Sequence, residues 1–117
     1  MLLFVYGTLK TGGRLNKYLQ NNGAEFQGQA HTGPAFRLYK VNQFPGMVED
    51  PTGSGVHGEV YKISSTILPI LDYLEAVDIG LFLRKEITLS DGRTAFTYLF
   101  NQDITGLKEV TNGSWQV

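Results

Sequence analysis

A carboxylate on the apolar side of a short predicted helix is the residue in this chain best placed for proton chemistry. In the segment 65–76, Ile67, Ile70, Leu71 and Leu74 follow the i, i+3, i+4, i+7 spacing of a buried helical stripe. Glu75 continues the row 67–71–75 down that side. Loss of water around a carboxylate raises its pKa toward a value useful for taking and returning protons, the work of a general acid/base. Asp72, three residues earlier, is expected to push in the same direction by disfavouring a second negative charge. The competing reading of Glu75 is a helix-end carboxylate that bends out to water.

The elements that would position this group are mostly strands. Leu2–Tyr6 reads as a short buried strand that stops at Gly7. After Gly12-Gly13, Leu15, Tyr18 and Leu19 recur at helical spacing until Asn21-Asn22-Gly23 ends the helix. Phe26–His31, Ala35–Val41 and Val56–Ile63 are predicted strands, with Phe44-Pro45-Gly46 as a turn. The helix bearing Glu75 takes Ser65 or Thr66 as its cap and tolerates Pro69 in its first turn. Leu81–Leu89 and Thr94–Phe100 then form a hairpin around Ser90-Asp91-Gly92-Arg93, read as a two-residue Asp-Gly turn. That register sets Ile87 opposite Phe96, Leu83 opposite Phe100, and Lys85 beside Tyr98. Trp115 is the one anchor of the last segment and is expected to fold back on the sheet.

Whole-chain properties exclude several kinds of chemistry. The 117 residues suit one domain, 1–117, with no repeat and no linker. A net charge of -1 carries no footprint for nucleic acid. Cysteine is absent, which removes disulfides, thiol nucleophiles and zinc–thiolate sites together. No apolar run reaches the length of a membrane span and the N-terminus lacks a basic signal-peptide start, so a cytoplasmic location is expected. The run Gly7 to Arg14 has phosphate-loop glycines but Gly-Arg where Lys-Ser/Thr would hold phosphate and magnesium. His31 and His57 lie far apart in the chain without further ligands at metal spacing, and no Gly-x-Ser-x-Gly elbow is present. An enzyme built from this chain would work without thiol, metal or cofactor.

Taken in order, several segments carry a resemblance. Phe4-Val5-Tyr6-Gly7-Thr8-Leu9-Lys10, Val56-His57-Gly58-Glu59-Val60-Tyr61, Leu71-Asp72-Tyr73-Leu74-Glu75, Phe82-Leu83-Arg84 and Phe96-Thr97-Tyr98-Leu99 resemble, in the same sequence, the γ-glutamylcyclotransferase-like family. The N-terminal motif is closest to the branch acting on γ-glutamylamines. The resemblance implies an α+β single small domain, with a mixed, mostly antiparallel barrel-like sheet, two short helices and a central cavity. It implies cyclisation of a γ-glutamyl group to 5-oxoproline with release of an amine, a lyase or transferase reaction. By position, Glu75 would be the general acid/base, and the loop Tyr6, Gly7, Thr8, Leu9 would bind the γ-glutamyl moiety through backbone N–H groups. Tyr98 keeps a phenol on the partner strand and would also bind substrate. Two positions depart from the pattern: Phe82 stands where many members have Tyr, and Ala76 where Gly is frequent.

The residues suit that chemistry. Such a substrate carries its own nucleophile, its α-amine, and holding it folded for ring closure gains on the order of 7–11 kcal/mol. One base and a few oriented donors complete the need, and a strand end turned by Gly7 offers such donors without charge. Tyr39, Phe44, Met47 and Phe82 suggest an apolar wall, and small γ-glutamylamines are favoured over large peptides as substrates. Two other classes remain: a non-catalytic γ-glutamyl or amino-acid binding module, and a scaffold whose interior is filled by its own side chains.

Overall fold

The computed structural model describes all residues, Met1–Val117. In chain order the elements are β1 (Leu2–Val5), α1 (Asn16–Gln20), β2 (Glu25–His31), β3 (Phe36–Lys40) and β4 (Pro45–Glu49). These are followed by β5 (His57–Lys62), α2 (Leu68–Leu74), β6 (Phe82–Thr88), β7 (Thr94–Phe100) and β8 (Lys108–Glu109). A five-stranded sheet runs β2-β5-β1-β7-β6, and a three-stranded sheet runs β4-β3-β8. All pairings are antiparallel except that of β1 with β7, so the large sheet is mixed.

The strand period of two explains how one sheet serves two cores. Along the N-terminal strand, Leu3 and Val5 enter one buried cluster with Leu71, Phe82 and Tyr98, whereas Phe4 and Tyr6 enter the other with Met47, Val60 and Leu99. β5 divides likewise, Tyr61 to the first cluster and Val60 to the second. The smaller sheet closes over the second cluster through Phe36, Leu38 and Met47, and Trp115 packs against the same cluster, as expected. Gly46 of β4 meets β7 so closely that a Cβ would lie 2.7 Å from Phe100, an approach open only to glycine.

The β6–β7 hairpin adopts a register one residue away from the sequence expectation. Ile87 pairs with Ala95, Leu83 with Leu99, Phe82 with Phe100 and Arg84 with Tyr98. The loop has three residues, Ser90-Asp91-Gly92, closed by Leu89 N–H to the Arg93 carbonyl at 2.8 Å. Gly92 donates to the Leu89 carbonyl and takes φ 91°, the left-handed residue that follows a type I turn in such loops. The shift exchanges cross-strand partners, placing Arg84 rather than Lys85 against Tyr98.

Three further expectations are corrected. Pro45-Gly46 is not a turn but the start of β4, an edge strand whose first residue needs no ladder N–H; the chain reverses earlier, with Val41 N–H on the Phe44 carbonyl at 3.0 Å. The cap ahead of α2 is Ser64, whose hydroxyl accepts from Thr66 N–H, and Ser65–Ile67 forms a 3-10 turn. The buried arc of α2 is turned toward the row 67–71–75: Ile67 and Leu71 are buried, Leu74 is half-buried, and Ile70 is 37% exposed.

Candidate active site

Where β1 ends, Tyr6 fixes the wall of a cavity. Its hydroxyl donates to the Tyr98 carbonyl and accepts the Met47 N–H at 3.2 Å, tying β1, β7 and β4 together. Burial, with a smaller push from the Glu75 charge, raises its pKa and keeps it a neutral phenol. With both hydroxyl contacts taken by the protein, Tyr6 has only its backbone to offer a ligand.

The following loop turns its carbonyls inward. Lys10 N–H bonds to the Gly7 carbonyl at 3.0 Å, Gly13 N–H to Lys10 at 2.8 Å and Leu15 N–H to Thr8 at 2.9 Å. The amides of Tyr6, Gly7, Thr8 and Leu9 donate to no protein group, although all four residues line the cavity. Such unpaired N–H groups are costly unless something else accepts from them. A buried polar network braces the loop from behind. Glu59 Oε1 accepts Thr11 N–H at 2.8 Å, and Asn16 Nδ2 reaches the Leu9 carbonyl at 2.8 Å and Tyr61 Oη at 3.0 Å. Gly7 has ordinary φ, so its role is space rather than the tight turn expected: a Cβ would lie 2.6 Å from Pro45 Cγ. At Gly13 a Cβ would come 2.2 Å from the Thr8 carbonyl oxygen.

Glu75 caps the C-terminal end of α2 and lines the same cavity. It is half-buried, and its carboxylate has no hydrogen-bond partner in the protein. Desolvation pushes its pKa up to about 7, with the Arg14 charge acting weakly against it. Asp72 does not take part in this shift, contrary to expectation. Its carboxylate is turned to Tyr98 Oη at 2.7 Å and to Arg84 at 3.2 Å, where its charge is compensated. Ala76 completes the helix end in the left-handed conformation at φ 51°, the place a glycine would fill.

The cavity has a volume of about 180 Å³. Glu75, Tyr6, Gly7, Thr8, Leu9 and Tyr98, drawn from three separated stretches of the chain, all border it. Phe44 and Phe82 form part of its apolar wall, their ring centres 6.0 Å apart, whereas Tyr39 and Met47 do not reach it. Arg14 also lines it, a residue that sequence reasoning considered only in rejecting a phosphate loop. The Asp72–Arg84 partnership behind Tyr98 was likewise missed, because it depends on the hairpin register.

His31 and His57, distant in sequence, are cross-strand partners with ring centres 5.5 Å apart. No group of three or more His, Cys, Asp or Glu converges anywhere in the molecule, so the pair lacks the further ligands of a metal site. No helix is long and apolar enough to cross a membrane.

Comparison with known proteins names what this fold and cavity define. The family model described as gamma-glutamyl cyclotransferase, AIG2-like, matches residues 3–117, and the chain belongs to that family of enzymes. It is similar to a gamma-glutamylcyclotransferase family protein of Escherichia coli K12, 32% identical over 115 residues, covering 98% of this chain and 96% of the relative. It is also similar to a gamma-glutamylaminecyclotransferase of Bos taurus, 36% identical over 80 residues, covering 63% of this chain and 48% of that protein. Among solved structures, a uropathogenic E. coli-specific protein superposes with a TM-score of 0.83 at 30% identity, covering 97% of this chain and 90% of that one.

Proposed function

We propose that this protein cyclises the γ-glutamyl group of a small γ-glutamyl compound, releasing 5-oxoproline and a free amine, with Glu75 as general acid/base. The observation that supports this reading best is the pairing of an unpartnered, half-buried carboxylate with a row of unpaired backbone amides around one cavity. A carboxylate with a pKa near 7 is divided between its two protonation states at neutral pH, as a group that both takes and returns a proton must be.

In this mechanism the loop amides of Gly7, Thr8 and Leu9 hold the carbonyl oxygen as it gains negative charge. Glu75 removes a proton from the substrate α-ammonium, and the freed lone pair attacks the γ-carbonyl carbon. A five-membered ring forms, Glu75 returns its proton to the departing nitrogen, and the bond from the carbonyl carbon to that nitrogen breaks. The regenerated Glu75 carboxylate then takes the second proton from the ring nitrogen and passes it to the released amine, which leaves as an ammonium. Tyr98, whose own proton is committed to Asp72, accepts from the ammonium and orients it. The domain 1–117 supplies every group this reaction needs, and the reading has it acting in the cytoplasm on a small molecule without a cofactor.

The test is a panel of γ-glutamyl compounds assayed for 5-oxoproline by mass spectrometry, with the parent and with Glu75→Gln. Turnover that the substitution abolishes is expected. Ligand binding with no 5-oxoproline from either protein would instead establish the binding module.

A further inference from the structure

Lys10 directly follows the loop residues Tyr6-Gly7-Thr8-Leu9, yet it is not among the residues that line the cavity. Its ammonium donates instead to the Trp115 carbonyl at 2.7 Å, across a separation of 105 residues. No carboxylate lies within ion-pair distance of Lys10, so this carbonyl is its one partner in the protein. The side chain is half-buried, and a hydrogen bond from an ammonium is stronger than one between neutral groups.

Both ends of this contact are held. Trp115 packs against the second buried cluster, and Gly113, two residues earlier, accepts His57 N–H at 2.8 Å, so the carbonyl is anchored to the sheet. On the loop side, Lys10 N–H closes on the Gly7 carbonyl at 3.0 Å, and the Lys10 carbonyl takes Gly13 N–H at 2.8 Å. Thr8 and Leu9 are the two central residues of the turn closed in this way, and their amides are among those left unpaired beside the cavity. Glu59 and Asn16 secure the loop at Thr11 and Leu9, whereas Lys10 ties it to the C-terminal segment.

We propose that Lys10 is a positioning residue for the reaction, acting through its bond to Trp115. The bond holds the turn 7–10 so that the amides of Thr8 and Leu9 stay aimed at the carbonyl oxygen that gains negative charge. This rests on the reading of the cavity as a γ-glutamyl site, and it makes the C-terminal segment part of the framework of that site. Lys10 itself touches no substrate. Donors aimed at a developing charge bear on the transition state more than on the bound substrate, so loosening them lowers kcat rather than raising KM.

The experiment is a double-mutant cycle read by 5-oxoproline release. Lys10→Met keeps an unbranched side chain and deletes the donor; it is expected to lower kcat about 10–100-fold with KM little changed, the effect of a small misplacement. Lys10→Arg, which still donates to the carbonyl, is expected to recover most of the rate. Trp115→Ala releases the anchor of that carbonyl and should lower kcat as well. The double variant should fall no further than the slower single one, because both substitutions break the same contact. Parental kcat in Lys10→Met, a change in KM alone, or losses that multiply in the double variant would overturn the proposal. If no γ-glutamyl compound yields 5-oxoproline, the catalytic reading fails separately, and the same variants are read by NMR relaxation of the backbone amides. Order parameters of Thr8 and Leu9 are then expected to fall from about 0.85 to about 0.6 in Lys10→Met. Values equal to the parent's would overturn this inference too.

Discussion

The Tyr98 hydroxyl donates its only proton to Asp72 Oδ1 across 2.7 Å, so what it presents to the cavity is an oxygen able to accept. Burial first, and then the Asp72 carboxylate, raise the Tyr98 pKa and keep that proton in place. Arg84 balances the Asp72 charge at 3.2 Å, so the three residues form one polarised unit at the wall of the cavity.

On the proposed mechanism, removing the acceptor is expected to weaken binding of the substrate ammonium. Tyr98→Phe is expected to raise KM about tenfold with a smaller change in kcat, the effect of one hydrogen bond to a charged group. Asp72→Ala frees the Tyr98 proton to point at the ammonium and shifts KM the same way. Asp72→Asn, whose amide oxygen can still accept from Tyr98, recovers most of the loss. Steady-state kinetics on the three variants distinguishes this positioning role from a collapse of the fold, which Asn would not rescue.

In the proposed reaction Glu75 is ionised when it takes the first proton, and its pKa lies at about 7. The value of kcat/KM is therefore expected to fall about tenfold per pH unit below 7 and to level off above it. Glu75→Gln should lower the rate by about 10²–10⁴ at pH 8 and abolish that limb of the profile. A pH–rate profile from 5 to 9 checks both.

The same shift makes stability depend on pH. The native carboxylate holds its proton up to about 7, against 4.5 for the ordinary value, so the folded state binds more protons in that window. Stability is expected to fall as pH rises from about 4.5 to about 7, and the destabilisation is complete above it. Glu75→Gln removes this slope, and at pH 8 the variant should exceed the parent by about 1–3 kcal/mol. Urea unfolding of both proteins at pH 5 and pH 8 measures the difference.

Ala76 is the one non-glycine residue with positive φ, and it directly follows the catalytic candidate. An alanine side chain in that conformation costs about 1–2 kcal/mol, partly offset because glycine is more flexible when unfolded. Ala76→Gly is expected to stabilise the protein by about 0.5–1 kcal/mol in denaturant unfolding, with Glu75 left at the end of α2.

Gly7→Ala should act in the opposite sense. Its added methyl would overlap Pro45, moving either the loop amides or the start of β4. A loss of about 1–3 kcal/mol in stability is expected from such overpacking, together with at least about a tenfold fall in kcat/KM. Calorimetric melting and the 5-oxoproline assay measure the two effects.

The sequence by itself determined those features whose cause is local. Leu2 to Val5 is an unbroken apolar run, which marked a buried strand, and its side chains divide between two cores because successive residues on a strand point to opposite faces. Ile67, Leu71 and Glu75 fall on one row of a helix for a similar reason, which made the carboxylate conspicuous before any fold was known. The motif ending in Gly7-Thr8-Leu9 marked the strand end and loop, although not the closeness to Pro45 that requires glycine there.

Tertiary structure decided what depends on closure between distant segments. Whether Asp91-Gly92 makes a two- or three-residue loop is a difference of one register step, and local residue types fit either. The packed sheet selects the second, and with it Arg84 beside Tyr98 and Asp72. Asp72 is three residues from Glu75 along the chain, yet its partners come from β6 and β7 and cancel its charge. Arg14 shares a cavity with Glu75 and Phe82 only because the loop after β1, the end of α2 and the start of β6 close around one space. Each of these placements depends on residues that no short stretch of sequence contains together.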